Sequence, residues 1–439
     1  MAAFPRNRPG YLLCILISAT TGCDRILGGE LNPMFCAAHR GDPECQRTYP
    51  DAAPDAPKRC TGDPDCMAPT GVCDLGATRM CVECTTTEPS ACVGAKPVCS
   101  TNNVCRGCQA DSECTSQVCD LPTGSCADEA TVWYASPTGS GNTCSHMQPC
   151  QLMTAIGLVV MNKTTIKMLT GSYTTRVIIT DKTVSIHGEV ADLTDTSGNE
   201  ILRVEGSADV SLLGLRIHGG SGMTGHGIQC TNSGPKRPTL RLQHVTVDMN
   251  GGIGLIAVSC ALIAVSQSTF SSNTSGGISL PDAAAAFDIT NTLIFRNGDG
   301  STSSLGGLSL GATTAGLNRL AFNTIVDNEA KTNSGGVVCN IATFMGPNNI
   351  IARNTLLGDA SDPNAQKSGM CTYPTSKIQT DVIGLAFQRP DMAPFSYKLL
   401  AGSTAIDQAT TAVPIDVDNE GDHRPQGPEK DIGADELKP

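Results

Sequence analysis

Five short segments of the chain repeat one pattern, in which a β-branched or aromatic run ends on an asparagine. The segments are VTVDMN, STFSSN, TLIFRN, TIVDN and NIIARN, and they align Asn250, Asn273, Asn297, Asn328 and Asn354 in one column. The steps between these asparagines are 23, 24, 31 and 26 residues. A unit of this length that recurs with loops of variable size is typical of a solenoid.

Apolar residues form further columns around the asparagines. Three positions before each asparagine lie Val247, Phe270, Ile294, Ile325 and Ile351, and five positions before those lie Leu242, Val265, Ile289 and Leu320. This register predicts short parallel strands that stack coil on coil, about 4.8 Å apart, with the apolar columns inside. We expect each asparagine to adopt the left-handed backbone at a corner and to pass amide hydrogen bonds along its column. A β-sandwich is the alternative, but it predicts no such register.

Two stretches that flank the coils carry a resemblance to a known family. The first stretch is WYASPTGSGNTCSHMQPCQLMTAI, and the C-terminal one is AIDQATTAVPIDVDNEGDHRPQGPEKDIGADE. Together with the coils, these stretches resemble bacterial surface proteins of the right-handed parallel β-helix, or pectate-lyase-like, type. The resemblance covers about residues 131–439. It implies an all-β, right-handed parallel β-helix over 128–439, a short helix within Cys150–Met161 that closes the first coil, and a C-terminal capping segment. It implies no particular activity, because the fold hosts lyases, hydrolases and adhesins.

The segment 59–127 before the coils is a repeat of a four-cysteine unit. Its first members fall 24 residues apart, and the C-x-x-C pairs are junctions between units. Zinc binding and redox chemistry are alternatives, but a zinc ribbon needs no third unit and no βαβ pattern surrounds the pairs. Two disulfides per unit are favoured, with the pairing left open. The three units are Cys60, Cys66, Cys73, Cys81; Cys84, Cys92, Cys99, Cys105; and Cys108, Cys114, Cys119, Cys126.

Eight other cysteines are also expected in disulfides. Cys230 with Cys260 and Cys339 with Cys371 lie about one coil apart in sequence, which makes each a candidate pair. Cys36 and Cys45 are expected to close a small loop, and Cys144 with Cys150 is expected to fix the approach to the first coil.

The first residues indicate export. Arg6 and Arg8 precede an apolar run from Tyr11 to Ala19, which describes a signal peptide over 1–22. Thr20-Thr21-Gly22 before Cys23 resembles a bacterial lipobox, which implies a lipid anchor at Cys23; ordinary cleavage with Cys23 in a disulfide is the alternative. A tether over 23–58 follows, in which residues 49–58 are rich in Pro, Ala and Asp.

The location implied is the cell envelope, as an outer-membrane surface lipoprotein, or secretion. The membrane, through the lipid, is then the expected partner. Nucleic acid is an unsuitable partner, because the net charge is −12 and no basic run is present.

Three groups of residues are candidates for chemistry. His187 and His218 follow similar SIHG and RIHG patterns, and the columns place Asp248 beside His218, so these side chains could share a proton or a metal ion. Arg296, Asp327 and Arg353 precede asparagines in one column and predict a charge-alternating ladder without a carboxylate cluster beside it. GSGMTG at Gly220–Gly225 matches a dinucleotide fingerprint, but a strand follows it, so it is interpreted as a turn.

The third candidate group, after the histidine group and the Arg296 column, lies in the C-terminal stretch. Asp416, Asp418, Glu420 and Asp422 alternate like the early ligands of a calcium loop, which makes structural calcium the one candidate cofactor. The alternative is that Arg424 pairs with Asp431 or Glu436 and folds the terminal segment over the last coil.

These features favour a non-catalytic surface protein that binds a carbohydrate or another surface component. The alternative is a polysaccharide lyase or glycoside hydrolase that acts on an extracellular glycan. It would need two close carboxylates, or a calcium site beside an arginine.

Overall fold

The computed structural model describes residues 26–27, 30–31, 59–67, 70–76, 78–121, 123–232, 234–281, 286–311 and 318–438. The described residues form two compact units: one includes residues up to Val93 and Cys99–Arg106, and the other includes Gly94–Val98 and the residues from Gly107 onward. The signal segment and Cys23, Cys36 and Cys45 lie outside the described residues. Within the described ranges, no helix has the length and apolar character needed to cross a bilayer.

The four-cysteine units share one disulfide pattern. In each unit the first cysteine joins the third and the second joins the fourth, which sequence alone could not decide. A short 3-10 helix opens each unit, at Asp63–Asp65, Pro89–Ala91 and Asp111–Glu113. The bonds are Cys60–Cys73, Cys66–Cys81, Cys84–Cys99, Cys92–Cys105, Cys108–Cys119 and Cys114–Cys126.

Three more disulfides lie in the larger unit and match the expected pairs: Cys144–Cys150, Cys230–Cys260 and Cys339–Cys371. Three sulfur atoms of each four-cysteine unit lie within 4.8 Å of one another, close enough for a metal ion if the thiols were reduced. A sulfur in a disulfide has no thiolate to offer, so the pairing favours covalent staples over zinc. Disulfides in this number indicate an exported or extracellular protein.

Short strands outside the solenoid pair two by two. They are Ile26–Leu27 with Glu30–Leu31, Val72–Cys73 with Cys81–Val82, Val98–Cys99 with Cys105–Arg106, Cys119–Asp120 with Ser125–Cys126, Glu329–Ala330 with Thr355–Leu356, and Phe387–Arg389 with Ser396–Leu399. A further 3-10 helix spans Glu129–Thr131, and an α-helix spans Leu152–Leu158. That helix buries Leu152, Ala155 and Ile156 and falls inside the range expected for the helix of the first coil.

The larger unit is a parallel β-solenoid of about seven turns, so the predicted all-β solenoid fold is confirmed. Each coil adds one strand to each of three parallel sheets. Sheet A contains Val132–Ala135, Thr165–Met168, Thr183–His187, Asp209–Leu213, Thr239–Gln243, Leu262–Ser266, Ala286–Thr290 and Arg319–Ala321. Sheet B contains Gly171–Thr174, Ala191–Thr194, Arg216–His218, Thr246–Asp248, Thr269–Ser271, Leu293–Phe295, Thr324–Val326, Ile350–Ala352 and Lys377–Gln379. Sheet C contains Val177–Thr180, Leu202–Glu205, Ile228–Cys230, Leu255–Ala257, Ile278–Leu280, Leu308–Leu310, Val337–Cys339 and Lys367–Gly369.

The apolar columns form the interior of the solenoid. Val247 pairs in register with Phe270, and Phe270 with Ile294, on neighbouring strands of sheet B. Leu242 and Val265 do the same on sheet A. These side chains are almost fully buried in one continuous core. The column register therefore predicts the stacking correctly, because like side chains on successive coils fill equal volumes.

The asparagine column is a buried hydrogen-bonded ladder. Nδ2 of each asparagine donates to Oδ1 of the next, at 2.9 Å in all four steps from Asn250 to Asn354. The expectation that the asparagines adopt the left-handed backbone is wrong. That conformation belongs to the residue just before each one: Met249, Ser272, Arg296, Asp327 and Arg353, with φ between 50° and 58°. The asparagine instead uses its side chain to satisfy backbone groups that the corner leaves unpaired.

A second buried polar column lies at the corner between sheets A and B. Asn323 Oδ1 accepts the backbone N–H of Thr292 at 3.0 Å, and Asn349 Oδ1 accepts that of Asn323 at 2.8 Å. Ser268 and Ser376 hold the equivalent place in other coils. No sequence pattern reveals this column, because its residue type changes from coil to coil.

The third four-cysteine unit belongs to the same compact unit as the solenoid. It packs on the outward side of the first strands of sheet A, where Tyr134 Oη donates to the carbonyl oxygen of Ser116 at 2.9 Å. Val118 is buried there with Val132 and Tyr134. Hydrogen bonding and apolar burial therefore attach the third four-cysteine unit to sheet A.

The C-terminal segment, residues 380–438, covers the outward side of sheet B. Its Tyr397 and Ile432 share a cluster with the outward residues Val326, Ile350 and Ala352. The sequence placed this segment over the last coil, but the segment lies along the side of several coils. It forms hydrogen bonds with residues from Gln267 to Asn348. The strands Thr324–Val326 and Ile350–Ala352 are consequently buried on both faces.

A buried arginine holds this segment together. Arg424 is 4% exposed; it donates to Glu436 Oε2 at 3.1 Å and to the carbonyl oxygens of Asp431 at 2.9 Å and Gly433 at 2.8 Å. Burial lowers the pKa of the guanidinium, against the attraction of Glu436 and the neighbouring aspartates. The expected pairing with Glu436 is present.

Asn297→Ala should lower the free energy of unfolding by about 3 kcal/mol or more, because several buried groups lose partners worth about 1–3 kcal/mol each. Asn297 Oδ1 accepts from the backbone N–H and Nδ2 of Asn273, and its Nδ2 donates to the carbonyl of Phe270. Urea unfolding measures the change. Asn364→Ala, at an exposed asparagine, is the control and should change it little. Equal effects of the two substitutions would contradict the ladder.

Candidate functional site

A surface groove lies along the column of residues with left-handed backbone conformation that precede the buried asparagines. In three successive coils it carries Arg296, Asp327 and Arg353, with φ of 54°, 58° and 50°. Glu329 and Asp391 line the same groove, whose volume is about 490 Å³. We call this site the arginine groove. Charged side chains of both signs stand side by side here because consecutive coils present equivalent corner positions about 4.8 Å apart.

Arg353 and Asp327 form the fixed ion pair of the arginine groove. Arg353 Nε donates to Asp327 Oδ1 at 2.5 Å, and its Nη2 donates to Oδ2 at 2.8 Å. The remaining Nη1 donates to Asp391 Oδ1 at 2.6 Å. The hydrogen bonds that Arg353 donates to Asp327 raise the pKa of Arg353 further above its usual value, so the guanidinium stays protonated.

A tyrosine from the C-terminal segment completes the surroundings of Asp327. Tyr397 Oη donates to Asp327 Oδ2 at 2.5 Å. Burial and the charge of Asp327 raise the pKa of Tyr397, so it remains a donor. Both oxygens of Asp327 are therefore occupied by hydrogen-bond donors.

Arg296 is the exposed cation of the arginine groove. Its guanidinium lies 3.9 Å from the ring centroid of Phe395, in a cation–π arrangement. In the part of the chain that the structure describes, Arg296 has no carboxylate within salt-bridge distance. A cation held on an aromatic ring and not neutralised by a carboxylate is available to an anionic ligand.

Gly298 allows the chain to pass close to the neighbouring coil in this groove. Its φ is 81°, and a Cβ added there would lie 1.8 Å from the carbonyl oxygen of Glu329. Any other residue would force the two coils apart at this point.

The structure corrects one expectation about this column. No carboxylate cluster was expected beside the arginines, yet Glu329 and Asp391 line the groove with Asp327. Glu329 lies two positions beyond Asp327, which sequence reasoning could have used. Asp391, Phe395 and Tyr397 come from the C-terminal segment, and no local pattern connects them to the coils.

His218 and Asp248 lie in register on adjacent strands of sheet B, as the columns predict. Asp248 is nevertheless bound by another residue. Arg216 Nε donates to Asp248 Oδ1 at 2.8 Å, and its Nη2 donates to Oδ2 at 2.7 Å. The bidentate pair leaves the carboxylate without a free oxygen for His218, so the structure gives no support to a shared proton or metal there.

His187 does not occupy the column of His218, which corrects the expectation drawn from their similar patterns. It lies on sheet A, in register with Lys167 and Leu213. The histidine is 5% exposed. Its Nδ1 lies 3.3 Å from Asp111 Oδ1, and its Nε2 lies 3.1 Å from Ser185 Oγ.

Asp111 is the centre of the network around His187. Lys167 Nζ donates to its Oδ2 at 2.8 Å, and the backbone N–H of Cys119 donates to its Oδ1 at 2.9 Å. Burial opposes ionisation of Asp111, but the hydrogen bonds and charge of His187, with those from Cys119 and Lys167, lower its pKa to about 2. Asp111 lies 76 residues from His187 along the chain, and no sequence pattern links the two positions.

The four acidic residues of the candidate calcium loop do not converge on one point. Asp418 is buried, and its oxygens accept the backbone N–H groups of Glu420, Asp422 and Glu436 at 2.8–3.0 Å. Asp416, Glu420 and Asp422 pair separately with Lys430, Lys398 and Lys438. A calcium ion needs several free oxygens aimed at one centre, so this arrangement does not fit it.

The fold and the sites define the class of this protein, a parallel β-solenoid with a disulfide-rich N-terminal region. No protein-family model matches the chain, and no curated protein matches it. Among solved structures, the chain is similar to the one titled "Crystal structure of pectate lyase Pel9A", with 14% identity and a TM-score of 0.41 over 70% of this chain and 96% of that one. The fold described above is established by strand register and does not depend on this similarity.

Asp435→Asn should stabilise the protein at pH 7.5 by about 2–3 kcal/mol and have little effect at pH 4. Burial raises the pKa of Asp435 from 3.8 to about 6, although the backbone N–H of Leu399 opposes this rise. A pKa difference of one between the folded and unfolded states corresponds to about 1.4 kcal/mol. A raised pKa contributes stability below the unfolded value, and this contribution is lost as the pH rises through about 6. Urea unfolding at both pH values measures the effect.

The control for this prediction is Asp416→Asn, at a carboxylate that is 83% exposed. It should change stability little at either pH. A destabilising effect of Asp435→Asn at pH 7.5 would contradict the assignment.

Proposed function

We propose that this protein is an exported, lipid-anchored surface protein whose solenoid binds an acidic carbohydrate in the arginine groove without cleaving it. The proposal rests on one observation: the exposed guanidinium of Arg296 packs on the ring of Phe395, next to the Arg353–Asp327 ion pair. A guanidinium of this kind suits the carboxylate of a uronate or a sulfate ester.

The carboxylates of the groove suit the same class of ligand. Glu329 is exposed, and the Asp391 side chain is 73% exposed even though it pairs with Arg353. Carboxylate oxygens accept hydrogen bonds from sugar hydroxyls, while Arg296 meets the acidic group. Since Arg353 and Asp327 already hold each other, they offer a rigid wall that needs no ordering when a ligand binds.

Cleavage by a lyase is not favoured in this groove, since the base would have to be a neutral arginine or lysine. Arg353 is kept protonated by two carboxylates. Cleavage by a hydrolase is not favoured either, because it needs a carboxylic acid that can donate a proton. Both oxygens of Asp327 are already bonded, to Arg353 and to Tyr397. Binding without turnover is the function that these contacts support.

The N-terminal residues support the proposed display at a membrane surface. The signal-like start, Cys23 and the Pro-rich stretch 49–58 suit a lipid-anchored tether, and the disulfides suit the oxidising side of a membrane. Several acyl chains on one cysteine would anchor the chain stably.

Titration calorimetry with polygalacturonate, a sulfated glycan and a neutral glucan tests the binding. The acidic polymers should bind, and Arg296→Ala should weaken them about tenfold or more, because a hydrogen bond to a charged group contributes about 1.5–3 kcal/mol. Arg319→Ala on sheet A, an arginine that is paired with Asp288, is the matched control and should leave affinity unchanged.

Two outcomes would count against the proposed binding. Chain cleavage that disappears in Arg296→Ala or Arg353→Ala would establish an enzyme in its place. Absence of affinity for every glycan, acidic or neutral, would remove carbohydrate as the ligand.

The anchor is tested separately in a bacterial host. Mass spectrometry of the mature N-terminus should find an acylated Cys23, and Cys23→Ala should release the protein from the membrane fraction. Cys144→Ala with Cys150→Ala is the control, since it removes cysteines from the solenoid and not from the anchor. A free, unacylated N-terminal residue would exclude the lipid.

A further inference from the structure

A second cleft lies on sheet A, next to the hydrogen-bonded network of His187 and Asp111. It has a volume of about 490 Å³ and is bounded by the third four-cysteine unit and by the outward face of sheet A. Ser185 and His187 line it, together with Thr165, Ser211, Arg241 and Gln243. We call this site the sheet A cleft. It is separate from the arginine groove in the residues that line it.

Ser185, His187 and Asp111 are arranged as a nucleophile, a base and an orienting acid. The distance from Ser185 Oγ to His187 Nε2 is 3.1 Å, and that from His187 Nδ1 to Asp111 Oδ1 is 3.3 Å. An ionised Asp111 favours the tautomer in which Nδ1 carries the proton, which leaves Nε2 free to accept the proton of Ser185. Alternation along one strand brings Ser185 and His187 to the same face, since they are two residues apart.

Two hydroxyl groups flank the nucleophile. Thr165 and Ser211 pair in register with Ser185 on the strands to either side, so their outward side chains stand next to it. Among the described residues, neither hydroxyl has a hydrogen-bond partner. Both can therefore donate to the oxygen of a carbonyl group that reacts at Ser185.

The network is more than an attachment for the third four-cysteine unit. In the first unit the equivalent Asp63 accepts the backbone N–H of Cys73 at 2.7 Å, as Asp111 accepts that of Cys119. That aspartate is thus part of the repeat itself. Within the described ranges, only the aspartate of the third unit, Asp111, also forms a hydrogen bond with a histidine, His187. That histidine in turn forms a hydrogen bond with Ser185, which is half-exposed in the cleft.

We propose that Ser185, His187 and Asp111 hydrolyse a short acyl ester of a polar alcohol in the sheet A cleft. Ser185 Oγ attacks the carbonyl carbon, and its proton moves to His187 Nε2. The bond to the alcohol oxygen breaks, and that oxygen takes the proton and leaves. Water then attacks the acyl-serine and gives a proton to His187, the carboxylic acid departs, and the proton returns to Ser185 Oγ.

The walls of the cleft define the class of ester. Val118, Ala127 and Leu213 supply apolar surface near the reacting strand, enough for a small acyl group. Arg241 and Gln243 stand further along the same face. Arg241 pairs with Asp209 through Nη1, and Gln243 Nε2 donates to Gln267. The other guanidinium N–H groups and Gln243 Oε1 are therefore the groups that suit the hydroxyls of a polar alcohol such as a sugar. An O-acetylated carbohydrate fits both parts of the cleft.

A fluorophosphonate probe tests the nucleophile directly on the folded chain. Peptide mass spectrometry should find the adduct on Ser185, and the protein should hydrolyse p-nitrophenyl acetate and an acetylated cello-oligosaccharide. Ser185→Ala should abolish the adduct and lower the hydrolysis rate by about 10³-fold or more. The thermal midpoint should not change, since Ser185 has no bond to Asp111.

Two further measurements make the test decisive. Ser279→Ala, at a half-exposed serine of sheet C, is the matched control and should retain labelling and hydrolysis. His187→Asn should lose both, while glycan binding in the arginine groove should persist. Absence of an adduct on Ser185 in the unmodified protein, or hydrolysis that survives Ser185→Ala, would overturn the proposal. Neither result depends on whether a glycan binds at Arg296.

Discussion

The structure depends on the accurate stacking of one coil on the next, and the buried asparagine ladder enforces it. A parallel coil must turn sharply at its corners, and each turn leaves backbone groups without partners inside the protein. An unpaired group of this kind costs about 1–3 kcal/mol. Asn273 and Asn297 provide amides that satisfy the corner in their own coil and bond to the next one. A coil shifted by one residue would break both contacts.

This ladder also determines where surface chemistry can arise. The buried asparagine follows a residue in the left-handed conformation, and that residue carries its side chain at the outer corner. Because the corner repeats in every coil, Arg296, Asp327 and Arg353 become neighbours although 31 and 26 residues separate them. On sheet A, the same register places Thr165, Ser185 and Ser211 side by side. Both clefts are consequences of stacking.

The two added segments each supply one wall of these clefts. The third four-cysteine unit brings Asp111 to His187, and the C-terminal segment brings Tyr397 to Asp327. Both segments have smaller apolar clusters than the solenoid, and the C-terminal segment shares its cluster with the outward side of sheet B. The first is held by its disulfides and the second by the buried Arg424 with its acceptors. Small, covalently or ionically stabilised pieces can position a side chain well because few of their internal contacts are free to rearrange.

The sequence by itself determined the solenoid, its two apolar columns, the asparagine ladder and the four-cysteine repeat, because each is a periodic pattern with a physical cause at every repeat. It also brought Arg296, Asp327 and Arg353 into one column. Only the tertiary structure decided the disulfide pairing within each unit, the left-handed position before the asparagine, and the partners Asp391, Tyr397 and Asp111. These contacts join segments that share no period, so nothing local in the chain encodes them. They form where separate surfaces happen to bury complementary charge against each other.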